Sequence, residues 1–181
     1  MRVVHTDLPG VLILEPHVFS DSRGFFFESY NEKAIAEAAG LTERFVQDNH
    51  SRSIEHVLRG LHYQIKQPQG KLIRVIAGSV LDVAVDIRRS SPSFSRWVGM
   101  ELSAENRHMA WIPKGFAHGF VVRSDCAEVL YKATDYWAPQ YERTIVWNDP
   151  DLAIEWDVDG LPMLSGKDSA GVRLRDAEVF A

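Results

Sequence analysis

The chain has 181 residues, enough for one domain with a sizeable core, and its 45% hydrophobic and 25% charged content is ordinary for a globular protein. A net charge of −5 argues against broad binding to nucleic acid or an anionic membrane, although a few arginines converging in a cleft can still receive an anionic small ligand. Apolar runs are too short for a transmembrane span or a signal-peptide core, and the single cysteine, Cys126, cannot form an internal disulfide, so the expectation is a cytoplasmic protein of one domain over residues 1–181.

In chain order, Gly10 to Pro16 reads as a strand that Pro16 closes, and Asp21-Ser22-Arg23-Gly24 as a turn. An aromatic strand is expected from Phe25 to Tyr30, with Phe25, Phe27 and Ser29 on one face and Phe26, Glu28 and Tyr30 on the other. Asn31 is placed to cap a short helix, Glu32 to Ala39, that Gly40 stops. Phe45 to His50 reads as a strand leading into a loop at Ser51 to Glu55. Val57 to Gln64 reads as a buried strand that carries charge, with Leu58, Gly60, His62 and Gln64 on one face and Arg59, Leu61 and Tyr63 on the other. His62 is then either a ligand-site group or a core histidine with a satisfied hydrogen bond.

A turn at Gln67 to Gly70 precedes a strand at Lys71 to Ile76, and Ala77-Gly78-Ser79 turns the chain into Val80 to Ile87. That segment has the cleanest alternation in the sequence, with Leu81, Val83, Val85 and Ile87 opposing Asp82, Ala84 and Asp86. Ser90 to Ser93 breaks it. Further strands are expected at Trp97 to Leu102, His108 to Ile112, Gly119 to Val122 and Glu128 to Ala133. Many short strands with turn residues between them predict an all-β sandwich or barrel. The tail from Tyr136 to Ala181 is less regular, and its Trp147 and Trp156 are expected to pack it onto the barrel.

Pro113-Lys114-Gly115-Phe116-Ala117-His118 reads as a tight turn followed by an inward imidazole and resembles the second motif of the cupin superfamily, a small jelly-roll barrel. Metal-binding cupins add two histidines and a glutamate from a first motif. Here His62 is present, Gln64 stands at the second histidine, and no glutamate lies between Gln64 and Gly70. Two of about three necessary ligands predict no metal, and two histidines without one suit proton transfer or hydrogen bonding.

A more specific resemblance spans Val11 to Asp168. It is carried in order by Asp21 to Glu28, Gln47 to Ser51, Leu58 to Gln64, Gln69-Gly70-Lys71, Pro113 to Phe120, Tyr131-Lys132 and Ser165 to Asp168. On these motifs the chain resembles the dTDP-4-dehydrorhamnose 3,5-epimerases, cofactor-free enzymes of the cupin superfamily. The resemblance implies an all-β cupin double-stranded β-helix, a jelly-roll barrel with a short N-terminal helix and an irregular C-terminal segment. It implies a homodimer in which an N-terminal strand extends into the partner's sheet. The implied reaction inverts C3 and C5 of dTDP-4-dehydro-6-deoxy-D-glucose, whose C4 ketone acidifies both protons. Such chemistry needs a base on one face of the ring, an acid on the other and a stabiliser for the enolate oxygen, but no redox cofactor.

Carried over by position, His62 is the implied base, Asp168 the carboxylate that orients it, Tyr131 the acid and Lys71 the cation at the developing oxyanion, with His118 a further contact to the sugar. Arg23, Arg59 and Lys167 match positions that bind substrate, with charges suited to a diphosphate. Glu28, Gln47, Asp48, Asn49 and Glu142 match further contacts, the Gln47 to Asn49 segment also through its backbone. Trp137 stands where the family often has tyrosine, and its indole is expected to stack on the thymine ring. The rival readings are a mono-epimerase on a related dTDP-4-ketosugar, a non-catalytic cupin that binds sugar nucleotides, and a metal-dependent cupin oxygenase or isomerase.

Overall fold

Local chemistry sets many of the elements seen in the computed structural model, which describes residues 1–158 and 160–181. Strands β1 (Arg2–His5) and β2 (Leu12–Glu15) pair antiparallel at the start of the chain. The hairpin of β3 (Phe19–Asp21) and β4 (Gly24–Phe26) turns where the Asp21 carboxylate accepts the Arg23 backbone N–H at 2.8 Å. The aromatic strand expected to reach Tyr30 stops at Phe26, because among the described residues this ribbon has only two strands, and every residue in it is exposed. Helix α1 (Glu32–Ala39) starts and ends as expected: the Asn31 side chain accepts the Ala34 N–H, and Gly40 closes it in the left-handed region at φ 68°.

The remaining strands are β5 (Gln47–Ile54), β6 (Leu58–Gln64), β7 (Lys71–Ala77), β8 (Ser79–Asp86), β9 (Trp97–Ser103), β10 (Met109–Ile112), β11 (Phe116–Val122), β12 (Cys126–Ala133) and β13 (Glu142–Thr144), followed by the short helix α2 (Gly166–Ser169). They form a six-stranded sheet in the order β1-β2-β10-β7-β12-β5 and a five-stranded sheet in the order β13-β6-β11-β8-β9. This is the expected jelly roll. Two more expectations are corrected here. The loop placed at Ser51 to Glu55 is strand as far as Ile54, because β5 pairs with β12 along its whole length, from Gln47 opposite Ala133 to Ile54 opposite Cys126. Its polar residues gave no apolar alternation to read. Strand β11 begins at Phe116, not Gly119, since its partner β8 continues to Asp86.

Apolar side chains collect in three layers. Ile73, Val75, Val80, Ala84, Phe120 and Val129 fill the space between the sheets. The outer face of the five-stranded sheet, with Leu81, Val83, Val85 and Ile87 of β8 as predicted, is covered by Leu152, Trp156 and Leu174 of the C-terminal segment. Trp156 is buried and donates its Nε1–H to the Trp147 carbonyl at 2.8 Å, so the tail packs down as expected. On the outer face of the six-stranded sheet, Ile35 of α1 packs with Leu14, Met109 and Trp111.

The face assignment in β6 also needs correction. Leu58 and Leu61, predicted on opposite faces, share the layer under the C-terminal segment. The pairing of β6 with β11 shifts register between His118 opposite His62 and Phe120 opposite Arg59. One extra residue in the strand reverses the alternation and turns Arg59 to the same side as His62. The shift sits where Gly60, at φ 121°, crosses Gly119: a Cβ on Gly60 would lie 2.5 Å from the Gly119 Cα and 2.7 Å from the His118 carbonyl oxygen. Only glycine tolerates that conformation and that approach together.

Candidate active site

At one end of the space between the sheets the apolar filling gives way to a cavity of about 330 Å³. Its size suits a small-molecule ligand. One wall comes from the five-stranded sheet: Arg59, His62, Tyr63 and Gln64 of β6, His118 and Phe120 of β11, and Glu142 of β13. The facing wall comes from the six-stranded sheet: Gln47, Asn49 and Ser51 of β5, Lys71 of β7 and Tyr131 of β12. Gln69, Trp137 and Lys167 complete the rim.

His62 and His118 are direct cross-strand partners, and each is bonded to a carboxylate. His62 Nε2 lies 2.5 Å from Asp168 Oδ1. Asp168 is buried and held from several sides: Oδ1 also accepts the Gly60 N–H at 3.3 Å, and Oδ2 accepts the Ser165 hydroxyl at 2.6 Å. Ser165 is the N-cap of α2 and accepts the Asp168 N–H in return, so the short helix exists to present this carboxylate. Burial alone would raise the Asp168 carboxyl, but the hydrogen bonds from His62 and Ser165 outweigh it and hold the group at about 2. Burial pushes the His62 imidazole below its ordinary 6.5, against the pull of Asp168 and with the help of Lys167 and Lys71. At neutral pH the pair is therefore a carboxylate and a neutral imidazole, whose Nδ1 remains to take a proton. His118 Nε2 lies 2.8 Å from Oδ2 of the fully buried Asp82.

Across the cavity, Lys71 Nζ lies 5.9 Å from the centre of the Tyr131 ring. Burial lowers the Lys71 ammonium to about 8, with Asp82 and Glu142 opposing the fall. Burial raises the Tyr131 phenol, Glu142 adds to the rise and Arg59 opposes it. The site thus sets a neutral base on one sheet against a neutral phenol and an ammonium on the other. Lys167 pairs with Glu142 at 2.9 Å, and Arg59 donates to the Ser53 hydroxyl at 2.9 Å.

Most of the residues singled out in the sequence meet here: His62, Lys71, Tyr131, Gln47, Asn49, Arg59, His118, Trp137, Glu142 and Lys167 line the cavity, with Asp168 behind His62. Three do not. Asp48 alternates to the opposite face of β5 and pairs with Lys132 at 2.9 Å. Arg23 lies at the tip of the exposed hairpin, paired with Asp21, and Glu28 accepts from Asn31 beyond it. Conversely, Asp82, Ser165, Gln69 and Ser51 received no role from the sequence. Asp82 had a signal, a carboxylate on the inward side of a regular strand. So did Ser165, the first residue of a Ser-x-x-Asp cap.

Comparison with known proteins points to one family. The family profile described as dTDP-4-dehydrorhamnose 3,5-epimerase matches residues 5–176. A curated relative of that name from Pseudomonas aeruginosa is 59% identical over 180 residues, 99% of each chain. A crystal structure of the Legionella pneumophila dTDP-6-deoxy-D-glucose-3,5-epimerase in complex with dTDP-4-keto-L-rhamnose is similar at a TM-score of 0.95 and 51% identity, covering 98% of this chain and 94% of that one. A 3'-monoepimerase from Streptomyces bikiniensis in complex with dTDP-quinovose has the same fold at a TM-score of 0.88 and 32% identity, covering 97% of this chain and 88% of that one.

Proposed function

The chain belongs to the dTDP-4-dehydrorhamnose 3,5-epimerase family, and we propose that it inverts C3 and C5 of dTDP-4-dehydro-6-deoxy-D-glucose to give dTDP-4-dehydro-L-rhamnose. The observation that carries this reading is the opposition of His62 and Tyr131 on facing walls of one cavity. A hexose ring held between them meets a base on one face and an acid on the other.

His62, neutral and oriented by Asp168, removes the proton α to the C4 ketone. The electron pair moves into the ring, and the oxygen at C4 gains negative charge beside the Lys71 ammonium. Tyr131 returns a proton to the opposite face, and the carbon is inverted. His62 then releases its proton to solvent, Tyr131 takes one back, and the same cycle at the second carbon completes the reaction. Each step moves a proton and an electron pair only, and needs no oxidant. Arg59 and Lys167 supply cations for the diphosphate, and Trp137 a flat surface for the base. The chain acts in the cytoplasm, a reducing compartment that suits its single free Cys126. It acts as a homodimer: Arg23 and Glu28 do not line their own cavity, and the hairpin that carries Arg23 exposes Phe19, Phe25 and Phe26 at 58–68%, which suits a partner's surface.

The test is proton exchange in heavy water, with a dTDP-4-dehydrorhamnose reductase present to trap the product. Deuterium at both C3 and C5 with trapped dTDP-L-rhamnose is expected. Deuterium at one carbon only would move the chain to the mono-epimerases, and none at either would leave a binding protein.

A further inference from the structure

Trp137 is 58% exposed, yet it lines the cavity. It sits in a segment, Asp135 to Ala138, that belongs to neither helix nor strand. Backbone polar groups in such a segment need partners from elsewhere. Here glutamine side chains supply them. Gln69 Nε2 donates to the Asp135 carbonyl at 2.7 Å, Gln64 Nε2 to the Tyr136 carbonyl at 3.2 Å, Gln47 Oε1 accepts the Trp137 N–H at 2.9 Å, and Gln64 Oε1 accepts the Ala138 N–H at 2.8 Å. The anchors come from both sides of the barrel: Gln47 from β5 of one sheet, Gln64 from β6 of the other, and Gln69 from the turn before β7. Gln64 is the centre of the set. It is buried, its second amide hydrogen goes to the Gln67 carbonyl at 2.7 Å, and so both ends of its amide are engaged by backbone.

We infer that Gln64, with Gln69 and Gln47, is a positioning residue that fixes the Trp137 indole at the cavity mouth as a preformed plate for the nucleobase. The inference rests on reading the cavity as a nucleotide-sugar site. It gives Gln64, at the position of a metal ligand in other cupins, a role that acts through the loop. An exposed indole has little packing to hold it, so its orientation is set by the backbone that carries it. A loop suspended between two rigid sheets loses little entropy when the base arrives, and that lowers the cost of binding without touching the proton-transfer groups.

The experiment is calorimetric titration of dTDP into the wild type, Gln64→Met, Trp137→Ala and the double variant, with steady-state kinetics on the nucleotide sugar. Gln64→Met is expected to weaken dTDP binding about tenfold, a loss within the range for base stacking, and to raise KM by the same factor while kcat stays within about twofold. In the Trp137→Ala background the same substitution should add less than about twofold, because its effect runs through the indole. Gln69→Leu, which removes only the Asp135 contact, should show a smaller loss with the same dependence on Trp137, and it serves if Gln64→Met does not fold. An equal loss in both backgrounds, a fall in kcat at unchanged KM, or unchanged dTDP affinity would overturn the clamp. A wild type that does not bind dTDP would instead remove the nucleotide-sugar reading, and the clamp with it.

Discussion

His62 and His118 sit opposite each other on adjacent strands, each against an aspartate, and the proposed mechanism gives the role of base to His62 alone. The carboxylate behind His62 is fixed by a backbone N–H and a helix cap, so the imidazole cannot turn away when it accepts a proton. His62→Ala should lower exchange at both carbons by about a thousandfold while dTDP affinity changes little. Near-normal exchange in that variant would remove His62 from the mechanism. Tyr131→Phe should leave proton removal at the first carbon detectable but slow inversion by about a hundredfold, and full inversion at normal rate would discard Tyr131 as the acid. The pH profile follows from the burial of two groups. The imidazole, lowered below 6.5, must be neutral, so activity falls on the acid side only below that value. The Lys71 ammonium, lowered to about 8, must be charged, so activity falls as pH rises through about 8. A kcat profile still flat well above that pH would show that the charge on Lys71 is not needed.

Strands β6 and β8 show how an element can carry a site and pin it. The glycines at the β6–β11 crossing let Arg59 and His62 face the same cavity. Gly60→Ala should destabilise the protein by about 1–3 kcal/mol and reduce kcat/KM, since the strand must move for the methyl group to fit. Denaturant unfolding with an unchanged midpoint would contradict that approach. At the end of β8, the fully buried Asp86 carboxylate accepts from Arg88, Ser91 and Ser93 and ties down the chain that leads to β9. Burial would raise this group, but those hydrogen bonds hold it at about 2. Its unfolded value is near 3.9, so its contribution of about 2–3 kcal/mol is complete above that pH and is lost as pH falls toward 2. Asp86→Asn should flatten the acid limb of the stability curve, and a limb identical to wild type would refute the assignment.

At the scale of the molecule, one chain offers a cavity, and a hairpin that points elsewhere. The hairpin is a two-stranded ribbon with exposed phenylalanines and a charged tip, a poor structure to leave in water. Phe26→Glu should weaken a homodimer roughly thirtyfold or more if that side chain is a central anchor. Sedimentation equilibrium reads the change, and the nucleotide-sugar KM should rise with it if Arg23 serves the partner's cavity. A wild type that sediments as a monomer would sink both.

Much of this was legible in the amino-acid order, because local rules act on it directly. Asn31 and Gly40 bound a helix by capping chemistry, β8 alternates cleanly, and turn residues mark the short strands of a barrel. The motif series named the chemical groups, and most of those side chains meet in one cavity. Other features depended on pairing between distant strands. Polar β5 is a strand because β12 lies beside it, and Arg59 shares a side with His62 because β6 slips one register against β11. Asp82 becomes the partner of His118 only when β8 and β11 are adjacent. The glutamines bonded to the Asp135 to Ala138 backbone lie 66 to 90 residues before it in the chain, so nothing in the sequence around Trp137 announced them. Composition and periodicity act within a few residues, whereas the cavity is assembled by hydrogen bonds between strands that meet only in the folded barrel.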